Sequence, residues 1–438
     1  MGAHRASWLA LVTILLIGTS AAGLARGLFG YPPCVSDEVN WAGIVQRVAA
    51  GDAWPISGVL FFQTLQALSR ATGLGASSTL ALMGLVSVPI ALSVIWWAYG
   101  LLRIDSRWRT LAMLAISSHF WAPLLESRPQ QLGQALFLLG TALVVRAVQV
   151  APEAATRWWV GWVFVAIGAS LFHLLSFLLL LVSSACVLAW TVLSGRWNSA
   201  YGAGFALGGL TGLMVIGANS GPYASMVDDI WANHLAAVTA ASLVAAVAVW
   251  AVAIFAVVGL ARASARVDRS ARDLTAPFAL KSSGYLIVAI AVAAAAVVLI
   301  WQALLLPQAA WRPYGGSVLF FVVAQAGNLC VLLLIARGIR ESLSPSSVAT
   351  QSSDRDLSLA LAAIAAVLCA AGLAASLVLV DRNWLLRALG YALLLLAPVA
   401  VSGLPNRMPR AVAIVIGMGL AAVSFTSAVK PSALFPCG

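Results

Sequence analysis

Two adjacent carboxylates, Asp37 and Glu38, stand in a 438-residue chain that is 62% hydrophobic and has only 14 acidic side chains. Ser36 is placed to N-cap a helix, and both carboxylates then fall in its first turn, where the helix dipole favours negative charge. A carboxylate so placed at a membrane surface takes a proton from an incoming hydroxyl, or holds a divalent cation that does so. The same pattern also serves as a plain cap on an amphipathic surface helix. A second polar group lies in the run LLESRPQQLG, which contains Glu126, Arg128 and Gln130. Pro129 opens the helix that follows, where its missing N–H costs nothing. Arg128 offers a planar pair of donors to a phosphate or carboxylate, or else snorkels and pairs with Glu126. His173, between two apolar runs, reads as a hydrogen-bonded packing histidine or a supporting site residue. Arg312, flanked by Trp311, Pro313 and Tyr314, reads as a head-group contact or an interfacial anchor.

The elements that must position these residues are helices. Trp41, Ile44, Val45 and Val48 recur at helical spacing on one apolar face after the acidic pair, and Gly51 is a natural stop. This helix is too short and too polar to span a bilayer, so it is expected on the membrane surface. Hydropathy divides the chain into about thirteen spans. Among them are 8–28, 110–125, 132–150, 159–170, 175–193, 235–260 and 284–306. The run 58–73 is apolar, yet Gln63, Gln66 and Arg70 form a polar stripe down one side, so it too is assigned to the interface. That assignment places 17 of the 25 basic residues on the N-terminal, cytoplasmic side, as the positive-inside rule requires; counting 58–73 as a span would invert every later loop.

The expected fold class is therefore all-α, a polytopic helical membrane protein. It forms one integral domain over 1–438, with 29–76 as the first external loop and 261–283 and 338–356 as cytoplasmic linkers. The first apolar run is read as an uncleaved signal anchor. The expected location is the cell membrane, multi-pass, with the working face extracytoplasmic. The net charge of +11 sits in short clusters between apolar runs. It sets orientation and lacks the aromatic interleaving of a nucleic-acid groove. Cys34 and Cys437 both fall outside, next to the first and last spans, where the oxidising side permits a disulfide between them; Cys186, Cys330 and Cys369 fall within spans as packing residues.

The order of these features resembles the start of GT-C-type membrane glycosyltransferases, which include the protein O-mannosyltransferases and the lipid A aminoarabinose transferases. Their opening, roughly D-E-x(n)-G-x-x-P-P-L-Y-Y, is similar here to Asp37-Glu38, then Gly51-Asp52, then Pro55-Ile56-Ser57-Gly58-Val59-Leu60-Phe61-Phe62. The family's R-P-[ED] turn is matched by Arg128-Pro129-Gln130, with Gln130 at the acidic position, and the Pro-Pro-Leu is absent. The resemblance covers about the first 190 residues. It implies transfer of a sugar from a polyprenyl-phosphate carrier to a glycan, lipid or protein acceptor, with inversion. It gives Asp37 the role of base or metal-associated carboxylate, and Glu38 that of orienting it. It assigns the donor phosphate to Arg128 and Arg312, with Glu126, Gln130 and His173 in support. Two other classes share the composition: a lipid-linked sugar transporter or flippase, and a GT-C-like scaffold without catalysis.

The charge pattern makes a topological prediction. A cysteine substituted for Ser264, in the basic loop around Arg266, should resist an impermeant thiol reagent applied to intact cells; labelling from outside would overturn the topology.

Overall fold

The computed structural model describes residues 2–29, 42–43, 46, 58–193, 199–218, 244, 318–342, 352–378, 383–405 and 409–429. The bounded elements among them are all α-helices: α1 Gly2–Phe29, α2 Val59–Thr72, α3 Ala76–Leu101, α4 Arg107–Ala115, α5 Ser118–Leu125, α6 Pro129–Gln149 and α7 Pro152–Phe172, then α8 Leu174–Leu193, α9 Ser199–Ala218, α10 Val318–Ser342, α11 Ser352–Val378, α12 Asn383–Ser402 and α13 Arg410–Val429. Six of them, α1, α3, α6, α7, α9 and α11, contain apolar stretches long enough to cross a bilayer. The chain is a helical membrane protein. The expected spans 235–260 and 284–306 and the start of the helix at Ser36 lie outside the described residues, as does the full count of spans.

Helix α6 is the hub. It packs against α3, α7, α8 and α12, and most of its side chains are buried. Pro129 opens it, as expected, with Arg128 at the N-cap. The α7–α8 pair is a tight hairpin about one residue, His173, and Trp162 on α7 donates its indole N–H to Ser184 on α8 at 3.1 Å. Helix α7 begins earlier than the run 159–170 predicts, because Pro152 supplies a ready first turn ahead of the apolar stretch. On α9, Gly204, Gly208 and Gly212 leave room for the rings of Trp159, Trp162 and Phe177. Small residues at this spacing let helices approach closely in lipid, where packing rather than water exclusion drives association.

The run 58–73 forms α2. Phe61, Phe62 and Leu65 bury against Leu80 and Met83 of α3, while Gln63 and Arg70 are exposed. At 14 residues it is too short to span. Its N-cap, Gly58, has φ 94°, and any side chain there would collide with Pro129 of α6. One position therefore needs glycine for both backbone and space.

The single span expected over 110–125 is a correction. The structure breaks it into α4 and α5 at Ile116 and Ser117. A break inside a bilayer must have its freed carbonyls paired from within the protein. Trp121 Nε1 donates to the Ala115 carbonyl at 2.7 Å, and the Ser424 hydroxyl of α13 donates to that of Ile116. Ser117 donates to Asn328 Oδ1 of α10 at 2.6 Å, and Asn328 Nδ2 donates to Ser118 Oγ at 3.0 Å and Gln325 Oε1 at 2.6 Å.

The two ends of the bundle differ in character. At one, the charges of Arg103 and Arg157 bear on Arg146, and Arg146 and Arg157 both lie over the Trp158 ring. At the other lie Arg26, Glu126, Arg128 and His173. The α4–α5 break generates a stability prediction. Any side chain at Gly327 would strike the Ile116 carbonyl, so Gly327→Ala must push α10 away from the break, at about 1–3 kcal/mol. Its Tm in detergent should fall measurably; an unchanged Tm would mean that α10 does not seat against that carbonyl.

Candidate functional site

The end of the bundle that carries Arg128 is built in two layers. The outer layer gathers the C-terminal end of α1 and the α5–α6 connection. Arg128 Nε pairs with Glu126 Oε2 at 2.7 Å, both side chains largely buried, and Arg26 Nη2 donates to Ser127 Oγ at 2.9 Å. Gly84 on α3 makes this possible, since a side chain there would meet both Ser127 Oγ and the Arg26 guanidinium. Two guanidinium groups and a carboxylate thus share one semi-buried corner. There each electrostatic interaction is worth more than in water.

The inner layer joins α8 and α12 through hydroxyls. Ser176 Oγ lies 2.8 Å from His173 Nδ1 and 2.5 Å from the Tyr391 hydroxyl, and Tyr391 O itself lies 3.3 Å from Nδ1. The backbone N–H of Ser176 donates to the same Nδ1 at 3.3 Å, which makes that nitrogen the acceptor and places the proton of the neutral ring on Nε2. Burial, then the charges of Arg387 and Arg128, push the His173 imidazole down to about 3, so it is neutral at physiological pH. Gly133 on α6 gives His173 and Ser176 their place, because a side chain there would stand 2.9 Å from His173 Cβ. Between the layers, Ser87 donates to Gln131 Oε1 at 2.5 Å and Gln131 Nε2 donates to the Leu124 carbonyl. Gln130 is buried beside them on the first turn of α6.

An open apolar groove of about 380 Å³ runs along α1, lined by Leu16, Ile17, Ser20, Ala21 and Leu24 together with Phe425 of α13. Its last lining residue on α1 lies two positions before Arg26. Residues two apart on a helix point to different faces, so the groove and Arg26 occupy different sides of α1.

The expected site residues divide accordingly. Glu126, Arg128, Gln130 and His173 share this end of the bundle, and Glu126 pairs with Arg128 as the local sequence allowed. Asp37, Glu38 and Arg312 lie outside the described residues, as do Cys34 and Cys437 with their expected disulfide. Cys186, Cys330 and Cys369 are free, partly buried thiols on α8, α10 and α11. Among the described residues, no three His, Cys, Asp or Glu side chains gather as a metal-binding group. Sequence reasoning missed Arg26, Ser127, Ser176 and Tyr391. A basic residue ending the first apolar run pointed to Arg26, whereas a tyrosine inside an apolar run carries no local mark. Compared with known families, curated proteins and solved structures, the chain finds no match in any of the three.

The inner layer predicts an order of stabilities. Tyr391→Phe removes one buried hydrogen bond, worth about 1 kcal/mol. Ser176→Ala should lower the Tm at least as much, because it removes both short bonds and leaves only the 3.3 Å contact from Tyr391 to His173 Nδ1. A smaller loss in Ser176→Ala would show that Tyr391 moves in to replace the serine.

Proposed function

We propose that this chain is a GT-C-type glycosyltransferase that moves a sugar from a polyprenyl-phosphate carrier to an acceptor on the extracytoplasmic face of the cell membrane. The observation that carries the reading is the largely buried corner formed by Arg26, Glu126, Ser127 and Arg128, on a bundle whose first helix also carries an apolar groove. A lipid-linked donor needs both environments: an apolar flank open to the bilayer for the isoprenoid, and guanidinium donors for the phosphate. Arg128, with Arg312, holds the phosphate, whose charge grows as the sugar–phosphate bond breaks. Asp37 takes the proton from the acceptor hydroxyl as its oxygen bonds to the anomeric carbon, and Glu38 orients that base. The bond to the phosphate breaks in the same displacement, releasing polyprenyl phosphate with inversion at carbon. The roles of Asp37, Glu38 and Arg312 come from the sequence resemblance.

A transporter reading has one feature in its favour, the helix interrupted at Ile116 and Ser117, since interrupted helices often line substrate paths. The polar groups there are paired with one another through Ser117, Asn328 and Ser424, and among the described residues no carboxylate or cationic side chain takes part. That describes a sealed joint better than an ion-coupling site.

The test is transfer of labelled sugar in membranes, with protein level followed alongside. Asp37→Asn keeps the shape and the capping geometry but removes the base, so it should lower transfer by about 10²–10⁴-fold while expression holds. Glu38→Gln should lose less, and Arg128→Ala should chiefly weaken donor binding. Near-normal transfer by Asp37→Asn would leave Asp37 as a helix cap and remove the catalytic assignment.

A further inference from the structure

The end of the bundle opposite the candidate site carries a cation cluster of its own. Arg146 stands in the last turn of α6 and Arg157 near the start of α7, and both belong to the basic groups that the charge pattern assigns to the cytoplasmic side. Their guanidinium groups meet at one ring. The central carbon of Arg157 lies 4.8 Å from the centre of the Trp158 indole, and that of Arg146 lies 5.9 Å from it. Among the described residues neither arginine makes an ion pair, and Glu153, one turn before Arg157 on the same helix, pairs with neither.

An arginine that only anchors a helix end keeps its donors in water. Here Arg146 Nη1 and the Trp158 indole N–H are both buried without an acceptor. Leaving such donors unpaired costs free energy. Two of them at one ring, beside two cations, suit an anion with several acceptor oxygens.

The surface that runs from this cluster into the membrane is apolar. Arg157, Val160 and Phe164 fall at i, i+3 and i+7 on one face of α7, and all three are exposed, Phe164 by 70%. From Arg157 to Phe164 the helix rises about 10 Å, from the headgroup level into hydrocarbon. Cations at the top of an exposed apolar track have the layout of a phospholipid, and basic groups between transmembrane helices hold such headgroups by charge.

We propose that Arg146, Arg157 and Trp158 bind the phosphate of an anionic phospholipid whose acyl chain lies along Val160 and Phe164 of α7. The site is separate from the glycosyltransferase reading and does not depend on it. Arg157 is exposed and Arg146 half-buried, so the phosphate reaches both guanidinium groups from the bilayer. A turn of the Arg146 side chain then gives its Nη1 and the indole N–H a shared acceptor.

The experiment compares phosphatidylglycerol with phosphatidylethanolamine of the same acyl chains, bound to the purified full-length protein in detergent and read by native mass spectrometry. The wild type should retain phosphatidylglycerol in preference, because the ammonium of the other lipid already neutralises its phosphate. Arg146→Gln and Arg157→Gln should each cut that preference by about tenfold, as for loss of a charge-assisted hydrogen bond. Trp158→Phe keeps the ring, removes the N–H and should cut it by about threefold. Arg109→Gln, at an exposed arginine on α4, should leave it unchanged. Equal retention of the two lipids by the wild type overturns the proposal. So does an equal loss in Arg109→Gln, which would show diffuse attraction to a basic surface. Full preference in Trp158→Phe removes the indole donor from the site. Displacement of the lipid by an equal concentration of soluble glycerophosphoglycerol would show a site for a free phosphodiester and overturn the lipid assignment. Thermal unfolding of each variant separates weak binding from poor folding, and exposed Arg157 supplies the deciding variant if Arg146→Gln does not fold.

Discussion

In a bilayer no water is present to pair with a backbone carbonyl or a buried hydroxyl, and most of this structure follows from that constraint. It is plainest at Ile116 and Ser117, where the path of one helix is interrupted. The carbonyls that helix geometry would have used are taken by an indole, by a serine from α13 and by the turn itself, while Asn328 of α10 closes the side-chain bonds. Residues more than 200 positions apart thus hold one joint together. Tyr99 repeats the pattern on α3, donating to the Leu394 carbonyl of α12 at 2.7 Å. Polar side chains act here as fasteners between helices whose faces are otherwise equally greasy.

The same constraint shapes the candidate site. Tyr391, Ser176 and His173 satisfy one another in a chain of short bonds. The guanidinium groups stay in the outer layer, where the helices end and charge is cheaper to keep. A layered arrangement lets one end of the bundle present cations to a ligand without carrying charge into the apolar interior. On the opposite end, Arg146 and Arg157 lie over the face of Trp158. Both ends are basic; at the Arg128 end the described cations meet a largely buried carboxylate, Glu126, and buried amides.

Much of the architecture was legible in the sequence because hydropathy and helix punctuation are local. Pro129 marked the start of α6, and the stripe of Gln63 and Arg70 marked the exposed face of α2, a helix too short to span; the start of α7 at Pro152 was read too late. The break at Ile116 was invisible, since the residues that pay its hydrogen-bond debt sit on α10 and α13. The Glu126–Arg128 pair was legible at a separation of two residues, whereas the bond from Arg26 to Ser127 spans 101 positions and needed the fold. Tyr391 was hidden for the same reason: nothing in its own helix indicates that its hydroxyl meets a serine 215 residues earlier.

The hairpin of α7 and α8 has a consequence for how the protein is made. With His173 alone between them, neither helix has slack to enter the membrane ahead of the other, so the pair must be handed over by the insertion machinery as one unit. Its tip carries no fixed charge, which keeps the cost of moving that tip through the hydrocarbon low. Arg157 lies near the far end of the same hairpin, close to the start of α7. The biosynthetic step that delivers His173 to its partners is therefore also the step that fixes the orientation of two helices at once.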